Sequence, residues 1–262
     1  MNRTTTTSLG VIAIAAIALS AAPKEKLEFK FAEGQELTYS TKIDAGMEFM
    51  GQEMDTSSDY DETFKVLQVK DGKARVSDTI SNFKASGSED SIPNSMEGLS
   101  TEYSVDSKGK MSDYKVNDFG EINEMAKSQI ENSTMQLASG FMGLFLPEEP
   151  VAEGDTWKRT RQMSASGGKD SELEYTYTFK GFETVKGNRL AVIESRAEDV
   201  YMLEIESPSG TIDLEIDTKQ TSKFYFDVRR GVVTKVVSTN DSLVDSGMGE
   251  MVQTSETTTV LK

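Results

Sequence analysis

The sequence contains no cysteine and no histidine among its 262 residues. The first absence excludes disulfides, so an exported chain of this length has to be held by its hydrophobic core. The two together exclude Ser-His-Asp and Cys-His nucleophilic catalysis and the usual zinc, haem and iron–sulfur sites. A glycine-rich phosphate loop is also missing. Basic side chains are few, 28 against 44 acidic ones, for a formal net charge of −16. A surface of that sign repels nucleic acid and anionic lipid head groups, which excludes a nucleic-acid partner. Beyond the N-terminal region, no apolar run is long enough to cross a bilayer as a helix.

What is present begins with an export address. Arg3 precedes the apolar run Leu9 to Leu19, and the small residues Ala18-Leu-Ser20 or Ser20-Ala-Ala22 follow. This pattern is read as a signal peptide over 1–22, with an uncleaved N-terminal anchor as the alternative. No cysteine lies near the cleavage region to carry a lipid anchor. The remainder, 23–262, reads as a single β-rich domain of periplasmic or extracellular location.

Period-two alternation dominates that domain and marks strands with one buried face. Leu37, Tyr39, Thr41 and Ile43 share one face, as do Leu173, Tyr175, Tyr177 and Phe179, and Ile212, Leu214 and Ile216. Turns at Asp71-Gly72, Lys108-Gly109, Lys186-Gly187, Pro208-Ser-Gly210 and Arg230-Gly231 punctuate the runs. Roughly a dozen antiparallel strands joined by hairpins follow.

Three phrases recur in order. Phe31-Ala-Glu-Gly34 through Tyr39 is echoed by Val151-Ala-Glu-Gly154 through Trp157. Phe64 to Gly72 is echoed by Phe179 to Gly187, and Tyr103 to Gly109 by Phe224 to Gly231. They predict pseudo-duplicated halves, 27–116 and 151–262. Between them, apolar residues at Phe119, Ile122, Ala126, Ile130, Leu137, Phe141 and Leu144 fall at helical spacing. That stripe predicts one long or split helix over 117–146, capped by Asp118 and stopped by the connector Pro147–Pro150. The expected fold is mainly β (α+β): a strongly curved antiparallel sheet or unclosed barrel with that helix packed on the concave face.

Signals for chemistry are weak. Ser81-x-x-Lys84 and Ser166-x-x-Lys169 have the spacing of a serine–lysine dyad without the fixed, buried lysine it needs. Asp55, Asp59, Asp61 and Glu62 form the densest oxygen cluster, but it lacks the glycine and distal glutamate of a calcium loop and reads as a solvated strand face. Met47, Met50 and Met54 head a set of 13 methionines. Methionine fills cores, lines adaptable apolar cavities, or binds Cu(I), and the pattern leaves all three open.

The signal peptide and the phrases Glu33-Gly-Gln-Glu-Leu-Thr-Tyr39 and Leu146-Pro-Glu-Glu-Pro-Val-Ala-Glu-Gly-Asp-Thr-Trp157, with the Asp-x-x-Gly hairpins, resemble a group of uncharacterised secreted bacterial β-rich proteins. These are similar to the periplasmic lipoprotein-carrier and mycobacterial lipid-carrier superfamily. The resemblance implies a curved sheet wrapped around helices, with a cavity between them that accepts acyl chains. Its motifs are turns, so it transfers no site residue.

The combined expectation is a non-enzymatic exported envelope protein that binds a hydrophobic ligand, an acyl chain or lipid, between helix and sheet. The candidate ligand-binding residues are Phe119, Ile122, Ile130, Leu137, Phe141, Met142 and Phe145, facing Tyr175, Tyr177 and Phe179. The alternative is a structural or protein-interaction module of the envelope in which the same residues form a closed core. Neither reading calls for a cofactor or a metal.

Overall fold

The structure is a computed structural model that describes residues 23–87, 96–119, 141–163, 171–207, 210–245, 247 and 249–262. The predicted signal peptide, 1–22, lies outside the described residues. Eleven strands follow one another: β1 (Glu36–Phe49), β2 (Gln52–Lys70), β3 (Lys73–Ser86), β4 (Leu99–Asp106), β5 (Met111–Phe119), β6 (Thr156–Met163), β7 (Ser171–Val185), β8 (Asn188–Ser207), β9 (Gly210–Asp227), β10 (Val232–Asp245) and β11 (Glu250–Leu261). They form one antiparallel sheet in the order β5-β4-β3-β2-β1-β11-β10-β9-β8-β7-β6. Both halves are meanders, and the last strand joins them by pairing with the first over Tyr39↔Leu261 to Phe49↔Met251. Strands β5 and β6 are the open edges, so the barrel is unclosed.

The sheet curls tightly. Met111 and Tyr114 of β5 line the same cavity as Val236 and Ser238 of β10, six strands away. In a flat sheet that separation would be about 29 Å at the usual strand spacing. A cavity of 310 Å³ bridges it only if the sheet bends on itself.

The inner face is filled at one end, where the 71–72, 107–110, 186–187 and 228–231 turns lie. Two extended straps cross there. The first, residues 25–31, donates from Phe29 N to Ser107 O (2.9 Å) and from Lys30 N to Gly231 O (3.1 Å). The second, residues 141–151, donates from Phe141 N to Gly109 O and from Leu146 N to Lys108 O, both at 2.9 Å. The straps also pair with each other through Glu25 and Val151. Their side chains complete the core: Leu27, Leu144 and Leu146 are fully buried. Phe141 meets Phe29, Phe31 and Phe64 edge-on at centroid distances of 5.2, 5.7 and 5.1 Å, and Phe29 meets Phe226 at 5.4 Å. Such aromatic pairs add about 0.5–1.5 kcal/mol each beyond their buried area.

The expected α+β class, with a helix on the concave face, is corrected: among the described residues the chain is all β. At its predicted start, Asp118 and Phe119 belong to β5 and pair with Ser100 and Leu99 of β4. The ladder there supplies both strands with hydrogen bonds that a helix cap would have to replace. At its predicted end, Phe141–Gly143 is a single 3-10 turn broken by left-handed backbone at Met142 (φ 55°) and Gly143 (φ 74°). The run 141–146 is apolar all round because it is a strap buried within the sheet. Residues 120–140, with Ile122, Ile130 and Leu137, lie outside the described residues.

The repeated phrases do build the same turn twice. Gly34 N donates to Val66 O (2.9 Å) and Val66 N to Gln35 O (2.8 Å); Gly154 N donates to Phe179 O (2.8 Å) and Phe179 N to Asp155 O (3.0 Å). Val66, rather than Phe64, therefore occupies the place of Phe179. Bulges at Val66/Gln68 and Phe179/Phe182 absorb the difference before each glycine turn.

Gly109 tests the strapped end. A Cβ there would sit 2.4 Å from Leu144 O and 2.9 Å from the Phe29 ring, at φ +86°. At Gly72, with φ +76°, it would meet nothing within 4 Å. Gly72→Ala should cost about 1–2 kcal/mol of left-handed strain. Gly109→Ala should cost clearly more in urea unfolding, because it also pushes a strap off the sheet.

Candidate functional site

Away from the strapped end, the inner face changes chemistry. Alternation brings Thr41, Thr257, Thr259, Ser238, Ser222, Ser195, Asn240 and Gln220 inward on the central strands. Several of these pair across strands: Thr41 Oγ1 with Thr259 Oγ1 at 3.0 Å, and Ser238 Oγ donating to Ser222 Oγ at 2.8 Å. The groove they line has two lobes, of 310 and 230 Å³, on either side of Met142-Gly143. Ser238 and Thr257 line both. Further out, the registers set Met47 beside Met54 and Gln253, and Met251 beside Phe49 and Val244, so the methionines gather on this face. The Gln253 amide lies 3.9 Å from Met47 Sδ and 3.8 Å from Met251 Sδ. Among the described residues no group of three or more acidic side chains converges as metal ligands.

The larger lobe contains a carboxyl pair. Glu62 on β2 stands opposite Tyr39 and Ile80, and Asp78 on β3 opposite Phe64 and Thr101, which makes the two acids diagonal neighbours on the inner face. Around them the lobe is lined by Tyr60, Tyr103, Tyr114, Phe64, Met111 and Met142. The Tyr103 and Tyr114 rings stack at 6.1 Å. Burial raises both carboxyl pKa values, that of Asp78 further because Glu62 faces it. Each residue keeps some surface toward the groove, yet Asp78 Oδ1 is enclosed and receives no hydrogen bond from an N–H or hydroxyl donor. Thr101 Oγ1, opposite Asp78 and in a residue only 5% exposed, is likewise enclosed; the Tyr114 phenol beside it falls outside ordinary hydrogen-bond geometry. Burial also raises the Tyr60 and Tyr103 phenols, so both are neutral at physiological pH.

The sequence-predicted site residues divide. Phe141 (2% exposed), Tyr177 and Phe179 are core. Tyr177 stacks on Trp157 at 5.6 Å and donates to Gly143 O at 3.1 Å, while Trp157 Nε1 donates to Phe145 O at 2.8 Å. Phe145 meets Tyr177 at 6.5 Å. Met142 lines the groove, and so does Tyr175, although Tyr175 is buried in the same core cluster. Phe119 ends the edge strand β5, away from this group. Sequence reasoning missed Glu62 and Asp78. The signal was parity: both share a face with the apolar residues around them, Glu62 with Phe64 and Val66, Asp78 with Ala74 and Val76. In the acidic stretch 55–62, Asp55 and Asp59 are exposed as expected, whereas Asp61 is buried against Lys262 and Asn82 and Glu62 turns inward.

A second depression, of 850 Å³, lies on the outer face, lined by Glu174, Glu194, Arg196, Glu198, Thr221 and Lys223. Its charges are largely committed to ion pairs such as Arg196–Glu198, Lys158–Glu174 and Lys223–Glu183.

The acid pair gives a signature in stability. In the unfolded chain both groups ionise at about pH 4. In the folded chain they retain protons to higher pH, so the native state binds more protons and its stability falls as pH rises above about 4. Glu62→Gln/Asp78→Asn should flatten that fall and be more stable than the unsubstituted chain at neutral pH, measured by urea unfolding between pH 4.5 and 8.

No family model matches the chain, and no curated protein is similar to it in sequence. Among solved structures, one described by lipid–protein interactions in lipovitellin is similar over 89% of this chain, with 11% identity and a TM-score of 0.51. This chain spans 25% of that one. A Bacteroides fragilis protein with a YmcC-like fold, named as exported, aligns over 90% of this chain and 97% of its own at 10% identity, with a TM-score of 0.22. At these identities, what the lipovitellin match shows is a shared fold.

Proposed function

We propose that this chain is a non-enzymatic, exported protein that binds an amphiphilic ligand in the groove on the inner face of its sheet. The observation that carries the reading is the change of chemistry along that face. An aromatic core seals one end, and past it the groove presents hydroxyls, amides and a carboxyl pair, followed by methionines and Val244. A surface built only for burial would continue the apolar pattern, whereas here the inward positions turn to hydroxyls and amides that pair with one another across strands. Ligand sites combine apolar walls with a few convergent polar groups, as this groove does. The fold shared with lipovitellin supports the reading, since the matched structure is described by its lipid–protein interactions. Export is supported by the N-terminal apolar run and the small residues after it. The absence of histidine and cysteine from the sequence favours binding over catalysis.

Ser238 lines both lobes on the inner face, one inward position beyond the buried Val236, so a large side chain there fills the groove. Titration of a fluorescent fatty amphiphile should show saturable binding to the unsubstituted protein. Ser238→Trp should weaken it by tenfold or more with little change in the unfolding midpoint. Equal binding by the variant would place the ligand elsewhere.

A further inference from the structure

The carboxyl pair in the larger lobe lacks a counter-charge. Around Glu62 and Asp78 the ionisable groups are Tyr39 from β1, Tyr60 from β2, Tyr103 from β4 and Tyr114 from β5. Strands β10 and β11 contribute Val236, Ser238, Thr257 and Thr259, and the 141–151 strap contributes Met142 and Gly143. Among the described residues, neither lysine nor arginine acts on either acid. By contrast Asp61, on the opposite face of β2, receives Lys262 Nζ at 2.6 Å and Asn82 Nδ2 at 2.8 Å. Two facing carboxyls in an enclosed site hold either a shared proton or a cation brought from outside.

The lining decides which kind of cation. Ca²⁺ takes six to eight oxygen ligands, and Mg²⁺ demands a near-octahedral set. Here two carboxyls sit among tyrosine rings and hydroxyls, with Phe64, Met111 and Met142 completing the wall. Aromatic faces beside carboxylates suit an organic ammonium, whose charge is attracted to the rings and whose N–H groups, where present, reach the acids. Asp78 Oδ1 and Thr101 Oγ1, enclosed and without a partner in ordinary hydrogen-bond geometry, lie in this cluster.

We propose that Glu62 and Asp78, with Tyr60, Tyr103 and Tyr114 around them, seat the ammonium head group of the ligand, while its apolar part runs along the groove towards Met47, Met54 and Met251. This rests on the amphiphile reading above and names the head group that reading leaves open. The entering cation displaces the proton held by the pair, and that proton passes to the buffer.

The test uses the full chain and amphiphiles of one tail length below their micellar concentrations: dodecylammonium, dodecyltrimethylammonium and uncharged dodecyl maltoside. Titration calorimetry runs in 150 mM salt, so that the general negative charge of the protein is largely screened. The expected result is about tenfold tighter binding of both cations than of the maltoside. Proton release accompanies the cations, seen as heats that differ between Tris and phosphate. In Glu62→Gln/Asp78→Asn the preference and the proton release should vanish. In Asp44→Asn/Glu256→Gln, which removes two acids from the outer face, both should persist; Trp157 fluorescence verifies folding of each variant. Equal affinity for all three heads, or a cation preference that survives Glu62→Gln/Asp78→Asn, would overturn the head-group assignment and leave amphiphile binding standing. No binding of any probe would overturn the amphiphile reading itself. Heat from CaCl₂ alone that disappears with the acid pair would make the site a metal site instead.

Discussion

Among the described residues this chain is one sheet, with no second layer against which to bury its apolar face. Everything in this fold answers that constraint. The sheet curls until strands from opposite halves share a wall, and two straps cross the remaining gap. Phe141 is the keystone, because it contacts Phe29 of the other strap and Phe64 of the sheet at once. The pairing of β11 with β1 holds the halves in a continuous ladder. With the straps confined to one end, the rest of the inner face has no apolar layer over it among the described residues. The groove is a consequence of how the core is closed.

That division explains why one face carries two chemistries. Where the straps lie, the inward positions are apolar, mostly Leu, Val, Phe and Tyr with Ala74 and Ala191 among them. Lys30 N lies 2.5 Å from where a Cβ of Gly231 would sit, so that position excludes any larger residue. Past the straps, the same inward positions become Ser, Thr, Asn and Gln, whose hydroxyls and amides satisfy one another across strands. Acids on a face of this kind stand out, since enclosing a carboxyl without a cation is unfavourable and needs a compensating proton or ligand.

Much of the scaffold was legible in the sequence. Alternation gave the strands, the Asp-Gly and Lys-Gly dipeptides gave the hairpins, and Ala-Glu-Gly marked two turns with the same hydrogen bonds. These signals are local, and the ladder obeys them. The helix over 117–146 was misread at both described ends because apolar residues at spacings of three and four also arise in a bulged strand followed by an all-round buried strap. Periodicity cannot separate those cases when burial comes from several directions. Equal Phe-to-Gly spacing likewise misaligned Phe64 with Phe179, since bulges absorb residues without leaving a mark in the spacing. Of the residues singled out in the sequence, Met142 and Tyr175 line the groove, and Tyr175, Tyr177 and Phe179 belong to the core cluster. Glu62 and Asp78 were hidden by abundance: with 44 acids, inward ones are visible only once the parity of each strand is fixed.

The central claim is that the inner face beyond the straps is a binding surface for an amphiphile. Native mass spectrometry of the protein isolated from its own source, followed by solvent extraction, tests it most directly. The expected result is a stoichiometric mass increment that is lost on unfolding and is recovered in the extract as an amphiphile. A chain that carries only its own mass, and that takes up no amphiphile when one is supplied, would contradict it.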